Sequence, residues 1–150
     1  MNNTDLPFMM MALKQAQLGA LKNEVPVGAV LVKEGRIIAQ GHNLTRARHD
    51  PTAHAEIVVI RKALKVLQNE RFLDTKLYVT LEPCSMCAGA IIQARISEVM
   101  FGAYDPKAGA CGSVLKVIPN KNLNHCPRVL KGFMEEECAE ILRAFFRVRR

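Results

Sequence analysis

The chain has 150 residues, five cysteines, a formal net charge of +7 and a hydrophobic fraction of 49%. This length predicts a single domain over residues 1–150, and the sequence has neither an apolar run long enough to span a bilayer nor the basic start of a secretory signal. An odd number of cysteines without such a signal argues against a disulfide framework, so we expect a cytoplasmic protein with no membrane association.

Helical and strand patterns alternate along the chain. Thr4 or Asp5 can cap a first helix that has Pro7 in its first turn and ends near Asn23. Two runs rich in β-branched residues, 25–32 and 36–41, flank a short turn and predict a β-hairpin. The remaining predicted elements are a helix over 53–68, a strand over 76–81, a helix over 83–94, a strand over 98–102, a Gly-rich loop over 105–113, a short strand over 128–130 and a helix from 134 to about 146. This alternation predicts an α/β sheet covered by helices, with parallel strands where the connections are helical.

A Cys-x-x-Cys motif lies at the start of the predicted third helix. Cys84 and Cys87 are three residues apart, so their side chains project only about 60° apart on a helix. The partial positive charge of a helix N-terminus favours thiolates, the form that binds zinc. A redox motif would favour the same position, and the two alternatives differ in whether a third ligand is present.

His54 supplies that third ligand. It lies at the start of the preceding helix, and helices that follow strands can bring their N-termini together at one edge of a sheet. A structural zinc site has four protein ligands, whereas a catalytic site keeps one position for water. Cys111, Cys126, His125 and Cys138 could close the site, but none has a paired spacing, and we expect buried, inert thiols at the three cysteines.

Glu56 completes the motif His-Ala-Glu. At the first turn of a helix it can lie beside a metal-bound water without being a ligand, although the helix dipole alone also favours a glutamate there. Zinc lowers the pKa of bound water from 15.7 towards roughly 7, and an adjacent carboxylate can transfer its proton to a substrate nitrogen. This arrangement suits removal of ammonia from an amidine-like carbon, and it equally suits peptide or ester hydrolysis.

His-x-Glu followed by Pro-Cys-x-x-Cys is the signature of the zinc cytidine and deoxycytidylate deaminase superfamily. The surrounding stretches EVPVGAVLV (24–32), DPTAHAE (50–56), LYVTLEPCSMCAGA (77–90) and FFRVRR (145–150) resemble those of bacterial tRNA-specific adenosine deaminases of the TadA type. The resemblance implies a three-layer α/β/α cytidine-deaminase-like fold, in which a central five-stranded mixed sheet carries helices on both faces. It also implies a homodimer with one Zn²⁺ per subunit and no further protein partner.

The same resemblance implies conversion of adenosine to inosine at the wobble position of a tRNA anticodon, chiefly in an arginine tRNA. Hydroxide at the metal would attack the flipped adenine while Glu56 moves protons and ammonia leaves. Asn43 would hydrogen-bond the base and Val27 would pack against it. The residues expected to contact RNA are Arg46, Arg48, Asp105, Lys107, Phe146, Arg149 and Arg150, whereas Phe145 is expected in the core.

Three alternatives stay open at this point. A deaminase of small molecules, such as guanine, cytosine or deoxycytidylate, would share the metal site without needing a basic tail. A non-enzymatic zinc module that binds RNA would leave Glu56 unexplained. A Cys-x-x-Cys redox protein would leave His54 unexplained.

Overall fold

We describe residues 3–149 in a computed structural model of the chain. The elements in chain order are α1 (Leu6–Leu21), β1 (Gly28–Lys33), β2 (Arg36–His42), α2 (Ala55–Leu67), β3 (Thr75–Leu81), α3 (Ser85–Gln93), β4 (Glu98–Ala103), β5 (Arg128–Leu130) and α4 (Glu135–Val148). Every predicted helix and strand is present. Four elements start later than predicted: β1 pairs only from Gly28, α4 begins at Glu135, and extended residues at His54 and Cys84 delay α2 and α3.

The five strands form one mixed sheet in the order β2-β1-β3-β4-β5. β1 runs antiparallel to both β2 and β3. The helical connection through α3 makes β3 and β4 parallel, and β4 and β5 are parallel as well. The predicted hairpin and the predicted parallel pairing are therefore both confirmed.

Alternation along the strands produces two apolar layers. Leu31 and Val79 face one cluster that includes residues of α2 and α3, whereas Val30 and Tyr78 face a second cluster with residues of α1 and α4. Successive side chains of a strand point to opposite faces of a sheet. Helices therefore cover both faces of the sheet, and the predicted three-layer α/β/α fold is confirmed.

One edge of the sheet gathers the segments that carry the sequence motifs. The parallel strands β3 and β4 end there, at Leu81 and Ala103. Because β1 runs the opposite way, it begins at this edge, where Gly28 pairs with His42 at the end of β2. The starts of α2 and α3 and the loop after β4 follow directly from these strand ends.

Two of the three remaining cysteines are buried as predicted. Cys111 and Cys138 lie in the core, but Cys126 is exposed. The prediction of a buried thiol at Cys126 is wrong because residues 120–126 form a surface segment ahead of β5. Within residues 3–149, none of the helices combines the length and the apolar character needed to cross a membrane.

Candidate active site

The N-termini of α2 and α3 meet at the edge of the sheet where β3 and β4 end. His54 is the N-cap residue of α2 and Cys84 is the N-cap residue of α3, each with an extended backbone. Both side chains line a cavity between the two helix starts. Asn43 performs the capping of α2 from outside the helix, since its Oδ1 accepts a hydrogen bond from the Ala55 N–H at 2.7 Å. The imidazole of His54 is thereby available to the cavity.

His54 Nδ1 lies 3.6 Å from Cys84 Sγ and 3.5 Å from Cys87 Sγ. Zinc bonds of about 2.3 Å to sulfur and about 2.0–2.1 Å to nitrogen at a tetrahedral angle place N and S ligand atoms about 3.5–3.6 Å apart. The three donor atoms therefore have the spacing of ligands around one tetrahedral ion. Within residues 3–149, this group contains no fourth His, Cys or carboxylate, so the donor set matches the open site that the sequence predicts.

The pKa values of the two thiols and the imidazole are shifted in different directions. Hydrogen bonds from Cys87 and His54 lower the pKa of the Cys84 thiol to about 3. The hydrogen bond to Cys84 and burial raise the pKa of the Cys87 thiol, and the hydrogen bond to Cys84 raises the pKa of His54. A thiolate at the start of a helix next to an imidazole is a ready ligand for a divalent cation.

Glu56 lies in the first turn of α2 and is buried, with 4% of its surface exposed. It lines the same cavity as His54 and Cys84 but is not in the metal-binding group. Burial raises the pKa of its carboxyl to about 7, with an opposing contribution from His54. The carboxyl group is therefore adjacent to the three candidate ligands without joining them, as the sequence predicts.

The cavity has a volume of about 280 Å³, and its wall includes Val27 and Asn43 as well as Asp105 and Ala108 from the loop after β4. Both residues that are expected to hold a base therefore lie in the wall. Asn43 is buried, and its Oδ1 is committed to α2. An asparagine amide can still donate two hydrogen bonds through Nδ2.

A larger groove of about 670 Å³ adjoins this cavity. The two share Val25, Leu81 and Asp105 in their walls. The far wall of the groove comes from Tyr104, Pro106 and Lys107 on the loop and from Leu142, Arg143, Phe146 and Arg147 on α4. The groove therefore combines aromatic rings and cations, which are the groups that bind single-stranded nucleic acid.

The other residues predicted to contact RNA are dispersed. The loop that holds Arg46 and Arg48 is anchored by buried Glu24, whose carboxylate accepts the backbone N–H groups of Arg46 at 3.1 Å and Ala47 at 2.9 Å. Neither arginine lines the two cavities. Phe146 is 46% exposed and lines the groove.

The end of α4 is partly engaged within the chain itself. Phe145 is buried as predicted, and the Arg149 guanidinium lies 3.5 Å from the centroid of its ring. Arg149 also donates hydrogen bonds to the Phe145 carbonyl at 3.0 Å and to Asn23 Oδ1 at 2.8 Å. Arg150 lies outside the described residues.

Sequence reasoning missed the groove-lining residues Tyr104, Arg143 and Arg147 and the buried Glu82. Arginines on the polar face of an amphipathic helix have no distinguishing pattern. Burial raises the pKa of the Glu82 carboxyl, but hydrogen bonds from Ser113, Asp105 and Cys111 together lower it by more than burial raises it. The pKa of Glu82 therefore lies below its usual value. A glutamate placed just before the Pro-Cys motif was the one signal for Glu82.

Comparison with known proteins gives consistent matches. The model of the MafB19-like deaminase family matches residues 3–150. A tRNA-specific adenosine deaminase of Agrobacterium fabrum is 51% identical over 95% of this chain and 94% of its own length. A solved structure from studies of A-to-I editing by tRNA:A34 deaminases at the wobble position of transfer RNA is 50% identical over 91% of this chain and 99% of its own, with a TM-score of 0.88. The guanine deaminase of Bacillus subtilis is 43% identical over 75% of this chain and 71% of its own, with a TM-score of 0.66.

Proposed function

This chain belongs to the MafB19-like deaminases and to the family of tRNA-specific adenosine deaminases, and on that basis we propose that it hydrolyses adenosine to inosine at the wobble position of a tRNA anticodon. Its substrate is an arginine tRNA, as the sequence resemblance implies. The observation that carries this proposal is the small cavity, which His54, Cys84 and the buried Glu56 line. Cys87 completes the candidate metal-binding group beside it, and the cavity adjoins a groove of aromatic and cationic residues.

His54, Cys84 and Cys87 would hold a single zinc ion, because their donor atoms have tetrahedral spacing and the mixed nitrogen and sulfur set suits this metal. Bound zinc would supply an activated water at neutral pH. Asn43 fixes the start of α2, so it also holds His54 in its orientation towards the other two ligands.

Glu56 moves the protons of the reaction. Water adds to C6 of the adenine, the C6–N bond breaks, and the products are inosine and ammonia. The carboxylate takes a proton from the attacking water and delivers it to the departing amino nitrogen. Burial of Glu56 excludes solvent from this transfer and holds the carboxyl next to the ligands.

The base itself lies between Val27 and Asn43. Val27 offers an apolar surface in the cavity wall. Asn43 uses its Oδ1 to cap α2, so its Nδ2 amide group can donate hydrogen bonds to the base. A cavity of about 280 Å³ admits one base but not a stacked duplex, so the target nucleotide must be extruded from the anticodon loop.

The neighbouring nucleotides occupy the adjoining groove. Phe146 can stack on a base, and Lys107 can meet a phosphate. Asp105 contributes to both cavities and can contact the sugar of the target nucleotide. Arg46, Arg48 and Arg149 line neither cavity and add positive charge that attracts phosphates of a more distant part of the RNA. Arg150 adds one more positive charge to the chain.

A guanine deaminase is the second candidate, since a guanine deaminase is also a close relative. The two functions differ in what the groove does, because free guanine fills only the small cavity. Incubation of the purified chain with an anticodon stem-loop, free guanine, free cytidine and free adenosine separates them. We expect inosine in the stem-loop and at least about a hundredfold lower kcat/KM for the free compounds, because remote contacts supply the binding. Equal turnover of guanine would favour the second candidate.

We also propose a homodimer that acts in the cytoplasm, where its tRNA substrate is found. Support for a second copy comes from α3, which has no charged residue. Its partly exposed side carries Met86, Gly89 and Ala90, and a Cβ at Gly89 would meet no atom within 4 Å among the described residues. Such a small apolar face suits close packing against its own copy. Sedimentation equilibrium of the chain tests this, and a monomer at micromolar concentration would contradict it.

A further inference from the structure

Glu82 is the second buried carboxyl near the metal-binding residues. It follows the last residue of β3, lies two positions before Cys84, and has 2% of its surface exposed. It contributes to the wall of the small cavity. A buried carboxylate is costly unless hydrogen bonds satisfy it, so its partners define its role.

All four hydrogen bonds that the structure gives to this carboxylate come from the loop after β4. Oε1 accepts the N–H of Asp105 at 3.1 Å and the hydroxyl of Ser113. Oε2 accepts the N–H groups of Cys111 at 2.9 Å and Ser113 at 3.1 Å. Both oxygens are therefore engaged, and the two ends of the loop are tied to one side chain.

The middle of the loop is packed onto the same group. A Cβ at Gly109 would lie 2.4–2.5 Å from the Glu82 carboxylate atoms, so only glycine permits this approach. The Asp105 side chain continues the bonding outward, since its Oδ1 accepts the N–H groups of Lys107 at 3.0 Å and Ala108 at 3.2 Å. A continuous set of bonds thus connects Glu82 to the groove residue Lys107.

The loop after β4 lines both cavities. Asp105 and Ala108 line the small cavity, while Asp105, Pro106 and Lys107 line the groove. We propose that Glu82 is a positioning residue for substrate binding, which holds residues 104–113 in place as the wall that receives the nucleotides flanking the target base. This inference rests on the proposed function, because it assigns the loop to RNA.

The test compares Glu82→Gln with a matched control, Asp5→Asn. Asp5 is also a buried carboxyl (4% exposed), and it accepts the Tyr78 hydroxyl at 2.7 Å in a region that lines neither cavity of the site. For both variants we would measure kcat and KM on an anticodon stem-loop, zinc content, thermal unfolding, and hydrogen exchange of the loop amides without RNA.

We expect Glu82→Gln to raise KM about tenfold with kcat changed less than about threefold, because the loop contributes binding rather than chemistry. Exchange at the amides of Asp105, Cys111 and Ser113 should accelerate, and zinc content should stay at one ion per chain. Asp5→Asn should lower thermal stability without changing KM. Ser113→Ala, which removes one hydroxyl partner and conserves Glu82, should raise KM about threefold and serves if the glutamine variant does not fold.

The outcomes separate the two proposals. An active Glu82→Gln variant with unchanged KM, or with accelerated exchange throughout the chain rather than in the loop, would overturn the positioning role alone. An unaltered chain that makes no inosine in the stem-loop would overturn the proposed function, whatever the exchange rates are.

Discussion

Replacement of Asn43 separates two roles of one side chain, the helix cap seen in the structure and the proposed contact with the base. Its Oδ1 accepts the first N–H of α2, at Ala55, over 2.7 Å, while the amide nitrogen is available to a base in the cavity. Because His54 is the N-cap residue and its ring lines the cavity, Asn43 carries the capping for the helix that holds both His54 and Glu56.

The cost of Asn43→Ala follows from these contacts. Ala55 is fully buried, so the variant leaves a buried N–H unpaired, which costs about 1–3 kcal/mol, and loss of a helix cap alone typically costs about 1 kcal/mol. We expect a loss of about 2 kcal/mol in the free energy of unfolding, which corresponds to a fall in Tm of about 4–8 °C for a chain of this size.

Asn43→Asp is the matched variant. It keeps an oxygen that can accept the Ala55 N–H but loses the amide donor. We expect the fall in Tm to be less than half that of Asn43→Ala, with a loss of about tenfold to a hundredfold in kcat/KM on the stem-loop in both variants.

Circular dichroism of zinc-loaded protein and a single-turnover inosine assay supply the two readouts. The reasoning on the helix cap fails if Asn43→Ala unfolds at the temperature of the unaltered chain. The reasoning on the base fails if Asn43→Asp deaminates the stem-loop at the full rate.

Two further predictions concern packing and charge. Gly28→Ala should destabilise the chain by at least about 3 kcal/mol in urea denaturation, because the new Cβ would lie 1.9 Å from the Ala12 carbonyl oxygen. An unchanged midpoint of unfolding would contradict this close packing of α1 on β1. Stem-loop binding should weaken as salt rises, and Lys107→Gln should reduce the slope of log Kd against log salt by about 0.7; an unchanged slope would remove Lys107 from the phosphate contacts.

The fold was predictable because local and long-range signals agree in it. The hairpin at 25–41 combines β-branched runs with a Gly-containing turn, and each of the first three helices follows a capping residue or a proline in the sequence. Helix starts were misjudged by two residues at α2 and α3, where His54 and Cys84 are extended N-caps whose side chains serve the cavity instead. Local helix signals do not distinguish a functional cap from the first helical residue.

The candidate metal-binding group of His54, Cys84 and Cys87 was predictable in part because residues three positions apart at the start of a helix lie on one side of it. Cys84 nevertheless lies just outside the helix as its extended N-cap, and the cavity lies where the strand order brings the starts of α2 and α3 together. The contacts of Glu82 were not predictable, since they come from the loop after the next strand, whose backbone N–H groups return to this carboxylate. Burial of Cys126 was mispredicted because composition does not reveal which side of a long loop faces solvent.

The most direct test of the account is inosine formation in an anticodon stem-loop by the unaltered chain and by Glu56→Ala, each loaded with zinc. We predict that the unaltered chain converts the wobble adenosine to inosine with release of one ammonia, and that Glu56→Ala binds zinc and the stem-loop but forms inosine at least about a thousandfold more slowly, since general acid–base catalysis contributes about 10²–10⁴. Full activity in Glu56→Ala would contradict the assignment of proton transfer to the buried carboxyl beside the His-Cys-Cys group.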